Sequence, residues 1–385
     1  MIRVAFLCDH LDLGGQELGC LEVVRGLDRG RFSAFVYAFR PGALVEDFSR
    51  LGVSLVVGHD KPGSDPIWTE RDEAARGEYR KLLARRLRAD AIDVALVYGW
   101  RDAIPALREA GVAAIVERID GPGLARRIRD KSSCRRIVCE SRMARTTLAA
   151  ERALVGCDPA AIVVIPNGVD RRRFDPKRYD RDRCRAALGL GADDFVIGTV
   201  ARLAPEKNIT QLLNATAELA ATLPPRRAQA IRVLVAGPDG GSRRDLEQEA
   251  RALGIAGRVA FLGPRRDVPE LLRAFDVFVL TSLMEGAPFA LIEAVVMGLP
   301  VVATPVGAVP EIIDGNGMLV AAFDPHETSI ALAELANDAA LRDRLGRRSR
   351  VLARRYDVRR MVRRYEALLV EALEESRGLE RAIAP

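Results

Sequence analysis

Several short runs in this chain are apolar at nearly every position instead of every second one. "VAFLC", "FVYAF" and "VALVY" stand in the first half, and "FVIGTV", "VLVA" and "VFVL" in the second. A strand with one wet face alternates apolar and polar residues; a strand apolar throughout is covered on both faces, as in a parallel sheet flanked by helices. Helical patterns follow the runs in turn, for example "QELGCLEVVRGLD" after "IRVAFLCD" and "AIPALREAG" after "DVALVYG". Strand–helix alternation of this kind predicts an α/β, doubly wound fold. No window holds eighteen uninterrupted apolar residues, so no segment is expected to span a membrane.

The alternation occurs twice. It runs to about residue 168, gives way to the polar stretch "IPNGVDRRRFDPKRYDRDRCRAALGLGADD", then restarts at "FVIGTVARL". That stretch reads as a linker with a short helix, and "DRD" at 180–182 as solvated charge. A chain of 385 residues is long for one core. The expected domains are 1–168, 169–357 and a C-terminal helix, 358–385. The tail carries apolar residues at 361, 362, 365, 368, 369 and 373, a helical stripe that needs a partner surface, for which the first domain is the expected dock.

Composition removes several function classes. Of 59 basic residues only five are Lys, and the many Arg are interleaved with Asp and Glu, as in "RDRLGRRSR". Without a basic stripe, and with 5% aromatic residues for stacking, no nucleic-acid partner is expected. His10, His59 and His326 form no metal-ligand spacing, and Cys134 with Cys139 lacks a second pair, so no metal site is expected. There is no G-x-S-x-G elbow. Six cysteines fit a reducing compartment, and "MIRVAFLCDH" is too short an apolar run for a secretion signal; both favour a cytoplasmic protein.

Unusual residues cluster just after the strands, where ligands of open α/β sheets bind. "MEGAPFALIEA" carries Glu285 and Glu293 into an apolar setting, where an unpaired charge costs several kcal/mol and so needs a partner or water. Pro288 suits the first turn of the following helix, whose free N–H groups at Phe289, Ala290 and Leu291 can receive a phosphate. "ARLAPEKN" sets Arg202 and Lys207 beside a helix start, a pair suited to a diphosphate. Gly14 and Gly15 in "DLGGQE" allow backbone to approach an anion, or make a plain tight turn; they do not form G-x-G-x-x-G. Gly307 in "TPVGAVPEII" offers another close approach. "EYRKLLARRLRA", 78–89, puts Tyr79, Leu82, Leu83 and Leu87 on one face among cations, suited either to packing on the sheet or to peripheral contact with an anionic membrane at its inner face.

Taken together, "GGQE", "IPNGVD", "ARLAPEKN", "AGPDGG", "FLGPRRDVPELL" and the E-x7-E pair "EGAPFALIE" resemble family 4 of the retaining GT-B glycosyltransferases. The resemblance covers nearly the whole chain. It implies two facing Rossmann-like domains with a cleft between them, and a C-terminal helix crossing back. By it, Arg202 and Lys207 hold a donor diphosphate, Glu285 meets the transferred sugar and Glu293 the ribose, each carboxylate solvated until the ligand arrives. Arg265, Gly14, Gly15 and Phe289–Leu291 join the donor site. Asp120 stands where the family often has a histidine. The implied reaction is metal-independent glycosyl transfer from a UDP- or GDP-type sugar, a co-substrate and not a cofactor, to an unidentified acceptor. A GT-B epimerase or hydrolase and a non-catalytic nucleotide-sugar sensor are the alternatives.

Overall fold

The computed structural model describes residues 1–58, 73–120, 136–153 and 159–383. His59, Cys134, Cys157 and the "GPG" after Asp120 lie outside the described residues. The chain divides into two compact units, Met1–Pro166 with Val358–Pro385, and Asn167–Asp357.

The first unit holds a seven-stranded sheet: β1 (Ile2–Cys8), β2 (Phe32–Ala38), β3 (Ser54–Val57), β4 (Val94–Tyr98), β5 (Ala114–Arg118), β6 (Arg136–Cys139) and β7 (Ile162–Val164). The order is β3-β2-β1-β4-β5-β6-β7, and each of these pairings is parallel. The order reverses between β1 and β4, which opens a crevice at their carboxyl ends. Continuous apolarity has the expected cause. Val4, Phe6 and Cys8 of β1 face one core, while Ala5 and Leu7 face the other, and all five are fully buried. β3 and β7 have no counterpart among the strands expected from the sequence. They are the two edge strands, four and three residues long, and their segments "SLVV" and "AAIVVI" do carry apolar runs.

The helix Val358–Ile383 completes this unit. Met361, Tyr365, Leu368, Leu369 and Ala372 enter the same core as Val4 and Phe6. Polar contacts fix its register: Asp28 N–H donates to Glu366 Oε1 at 2.8 Å, and Arg118 Nη1 donates to Tyr365 Oη at 2.7 Å. On the opposite face lies the helix Glu73–Ala89. Its Leu83 and Leu87 are buried, and its Tyr79 ring meets Phe39 edge-on at 5.5 Å. Three residues of the stripe weighed for a lipid surface are therefore packed inside the protein; Leu82, the fourth, is exposed.

The second unit holds β8 (Phe195–Val200), β9 (Ile231–Ala236), β10 (Val259–Gly263), β11 (Val277–Leu280), β12 (Val301–Ala303) and β13 (Gly317–Leu319) in the order β10-β9-β8-β11-β12-β13, also parallel throughout. Here too alternate residues serve two cores: Phe278 and Leu280 one, Val277 and Val279 the other. Its order reverses between β8 and β11. The polar stretch after residue 166 is not loose. Val169 and Phe174 join the core, Asp180 caps the helix Arg181–Ala187, and Arg181 and Arg185 both reach Asp276, Arg181 at 2.7 Å. In "DRD", Asp180 is thus a helix cap and Arg181 a structural cation, because Asp276 needs a counter-ion where it accepts from Val196 N–H, while Asp182 is exposed as expected of solvated charge.

Leu369 is fully buried in the core shared with β1. Leu369→Ala should cost about 2–5 kcal/mol. Urea unfolding should show the loss as a lower midpoint; an unchanged midpoint would mean that the helix is not part of this core.

Candidate active site

At the β8–β11 reversal two loops meet through side chains. The loop after β8 carries Arg202 and Lys207, and the loop after β11 carries Glu285. Lys207 Nζ donates to Glu285 Oε1 at 2.7 Å, and Ser282 Oγ donates to the same oxygen at 2.6 Å. The side chains are 20% and 9% exposed, so each ion needs the other. Glu285 was expected to stay solvated until a ligand arrives. Instead it is paired within the protein, because the strand ends leave it too little water to stand alone. Backbone contacts hold the same loops together: Leu283 N–H donates to Glu206 O at 2.8 Å, and Thr281 Oγ1 donates to Asn208 O at 2.9 Å. Arg202, 56% exposed, pairs with Glu206 in a weak surface contact that leaves the guanidinium easy to redirect.

The loops on either side are pressed against this centre. "AGPDGG" after β9 bonds along the Arg202 loop, with Leu203 N–H to Pro238 O and Gly240 N–H to Leu203 O, both at 2.9 Å. Gly237 has φ +151°, and a Cβ there would lie 1.9 Å from Ala201 O. After β12, Ala308 N–H donates to Gly286 O at 2.7 Å; Gly307, at φ +55°, would set a Cβ 2.2 Å from Glu285 O. These glycines permit backbone contacts that any side chain would block.

The helix Phe289–Val296 follows. Pro288 is its N-cap and not a first-turn residue, and no side chain caps the first N–H groups. Phe289 and Leu291 are buried and Ala290 half-buried, so these positions could serve an anion only through their backbone. Glu293 is half-buried on the same helix. Asn167, almost fully buried, donates through Nδ2 to Ala287 O at 2.8 Å and fixes the approach to the helix. Arg265 stands apart, after edge strand β10. Asp267 engages it, Nε to Oδ1 at 2.7 Å, and that bond holds the Asp267 carboxyl below its ordinary range.

Gly14, Gly15 and Asp120 belong to the first unit. Gly14 is the N-cap of the helix Gly15–Gly26, and a Cβ on it would lie 2.2 Å from Glu17 Oε2. The glycine therefore admits Glu17, which the sequence reading did not single out. Glu17 is 5% exposed, and His10 Nδ1 lies 3.7 Å from its Oε1 and 3.5 Å from Asp12 Oδ2. Burial pushes the Glu17 carboxyl up, and the charges of Asp120 and Asp12 add to the rise. Its signal was present in the sequence: Glu17 lies one turn before Cys20 and Leu21, on the apolar face of its helix. Asp120 is held by Arg118, Nε to Oδ1 at 2.8 Å and to Oδ2 at 3.1 Å. Arg118, 1% exposed, is thus shared between Asp120 and Tyr365. Among the described residues no group of three or more His, Cys, Asp or Glu is placed to hold a metal ion.

Two changes test this geometry. Gly307→Ala should destabilise the second unit by about 1–3 kcal/mol, read by chemical denaturation, because the carbonyls it strikes are backbone; a neutral result would refute the close approach. For Glu17 the folded pKa lies above the unfolded one, so its contribution is fully present below pH 4.5 and lost as pH rises through the folded value. Glu17→Gln should remove that slope and stabilise the protein at neutral pH, with little effect below pH 4.5. A pH series of thermal melts showing parallel curves for variant and parent would contradict it.

Comparison with known proteins agrees with both units. The family model of glycosyl transferases group 1 matches residues 180–351, and that of glycosyltransferase family 4 matches residues 13–173. A D-inositol 3-phosphate glycosyltransferase of Actinosynnema mirum is 29% identical over 90% of this chain and 91% of its own length. The putative glycosyltransferase EpsF of Bacillus subtilis is 36% identical over 46% of this chain, a match spanning under half of EpsF. HepE of Anabaena, crystallised with UDP and glucose, superposes with a TM-score of 0.80 at 22% identity, covering 96% of this chain and all of that one. With one model on each half of the chain and the shared fold, the protein is an enzyme that belongs to glycosyltransferase family 4, the glycosyl transferases group 1 of GT-B fold.

Proposed function

We propose that the enzyme is a retaining, metal-independent transferase that moves a hexosyl group from a UDP- or GDP-type sugar to a hydroxyl of an acceptor. The observation that carries this reading is the Lys207–Glu285 contact at the β8–β11 reversal, the place where open α/β sheets hold their ligands. Loss of the diphosphate leaves positive character on the anomeric carbon and negative charge on the phosphates. Lys207, Arg202 and the N–H groups of Phe289–Leu291 are groups that can meet that negative charge, and fixed donors of this kind lower a barrier without reorganising. Because these groups supply the counter-charge, the reaction needs no divalent ion.

Glu285 has a second role in this scheme. When the pyrophosphate takes Lys207, the carboxylate is released to accept hydrogen bonds from the hydroxyls of the transferred sugar. Glu293 would take the ribose hydroxyls. The leaving phosphate would accept the acceptor's proton on the face from which it departs, which retains the anomeric configuration. HepE with UDP and glucose supports a UDP-sugar as the first donor to try. The relatives named D-inositol 3-phosphate glycosyltransferase support a small phosphorylated polyol as the first acceptor.

Purified enzyme given UDP-, GDP- and ADP-glucose should hydrolyse one of them slowly, and should do so in excess EDTA. Lys207→Ala and Glu285→Gln should each lower kcat by about 10²-fold or more while the melting curve stays cooperative. NMR of the product from an α-linked donor should show an α-glycoside. Parental turnover in both variants would overturn the site, and a β-linked product the mechanism.

A further inference from the structure

Among the described residues three non-glycines have positive φ: Ala91, Asn208 and Phe323. The last two, at φ +45° and +63°, are bonded to one buried amide. Gln211 Oε1 accepts from Asn208 Nδ2 at 2.8 Å and from the Phe323 backbone N–H at 2.7 Å. Its Nε2 donates to Ala321 O at 2.8 Å, Asp324 O at 3.2 Å and Thr328 Oγ1 at 2.9 Å. Thr328 gives its own hydroxyl proton to Asp324 O, so it can only accept from the amide. Donors surround Oε1 and acceptors surround Nε2, which fixes the orientation of the side chain. Gln211 is 3% exposed, so its amide is shielded from water.

What this amide holds matters because of its neighbour. Asn208 follows Lys207 directly and takes a left-handed conformation that costs energy for any residue with a Cβ. Asn208 closes the short turn Pro205–Lys207, and from the last residue of that turn Lys207 Nζ reaches Glu285 Oε1. Phe323, 73% exposed, is still less suited to positive φ, yet the same amide fixes the loop Ala321–Asp324 that carries it. We infer that Gln211 is a positioning residue for Lys207: its amide locks the Asn208 turn and ties it to the loop after β13. This rests on the proposed role of Lys207 only for its catalytic consequence. The positioning itself can be read without a ligand.

With five lysines in the chain, acylation of each can be followed by mass spectrometry. In Gln211→Met, similar in length but without hydrogen bonds, Lys207 should be acylated several-fold faster than in the parent while thermal unfolding stays cooperative. Adding Asn208→Gly, which takes the left-handed turn with no side-chain support, should return the rate toward the parent. An unchanged Lys207 rate in Gln211→Met, or no rescue by Asn208→Gly, overturns the inference. Calorimetry with UDP separates the two readings. If the parent binds UDP, Gln211→Met should weaken binding in the parent background and have no further effect in Lys207→Ala; additive losses would count against action through Lys207. If the parent binds no UDP while the acylation result holds, the donor reading fails and the positioning stands.

Discussion

A parallel sheet buried on both faces leaves its polar business to the ends of its strands, and that constraint governs both units of this protein. Val4 through Cys8, and Val277 through Leu280, send successive side chains into different cores, so none of those positions can hold a charge. Charged groups are displaced toward the carboxyl ends, as with Glu117 and Arg118 at the end of β5, and to the segments beyond them. There the reversal of strand order leaves room, as between β1 and β4 and between β8 and β11. Glu17, on the helix that follows β1, and Lys207 with Glu285, after β8 and β11, lie beside these two places.

Partial burial then dictates how the charges are arranged. Glu285 and Lys207 neutralise each other, with Ser282 adding a second donor to the carboxylate. Such a pair holds its geometry within the protein alone, and under the proposed function a ligand opens it by offering Lys207 a stronger anion and Glu285 a set of hydroxyls. The first unit solves the same problem differently. Arg118 is buried between Asp120 and Tyr365, so the C-terminal helix that closes the core also steadies the arginine that holds Asp120. Core packing and the setting of Asp120 are there one structure.

Close backbone approach is the third requirement. Gly237 and Gly307 let the loops after β9 and β12 lie against the carbonyls of Ala201 and Glu285. Where the chain does not use glycine, as at Asn208 and Phe323, a buried amide supplies the restraint that a glycine would not need.

The sequence alone determined the class of fold, because continuous apolar runs followed by helical stripes admit few arrangements other than a covered parallel sheet. It determined the family as well, through motifs whose order along the chain is specific. It also marked Lys207 as a rare lysine, and Glu285 as a carboxylate in apolar surroundings. The runs "SLVV" and "AAIVVI" also carry the apolar signal of the edge strands β3 and β7, but nothing local reveals the work of Arg181, whose partner Asp276 lies 95 residues away. Only the tertiary structure joined Lys207 to Glu285, 78 residues apart, and gathered Asn208, Phe323 and Thr328 around Gln211. The reason is physical: periodicity reports which face of an element is dry, a local property, whereas a buried charge or amide is satisfied by whichever strand end the topology brings beside it.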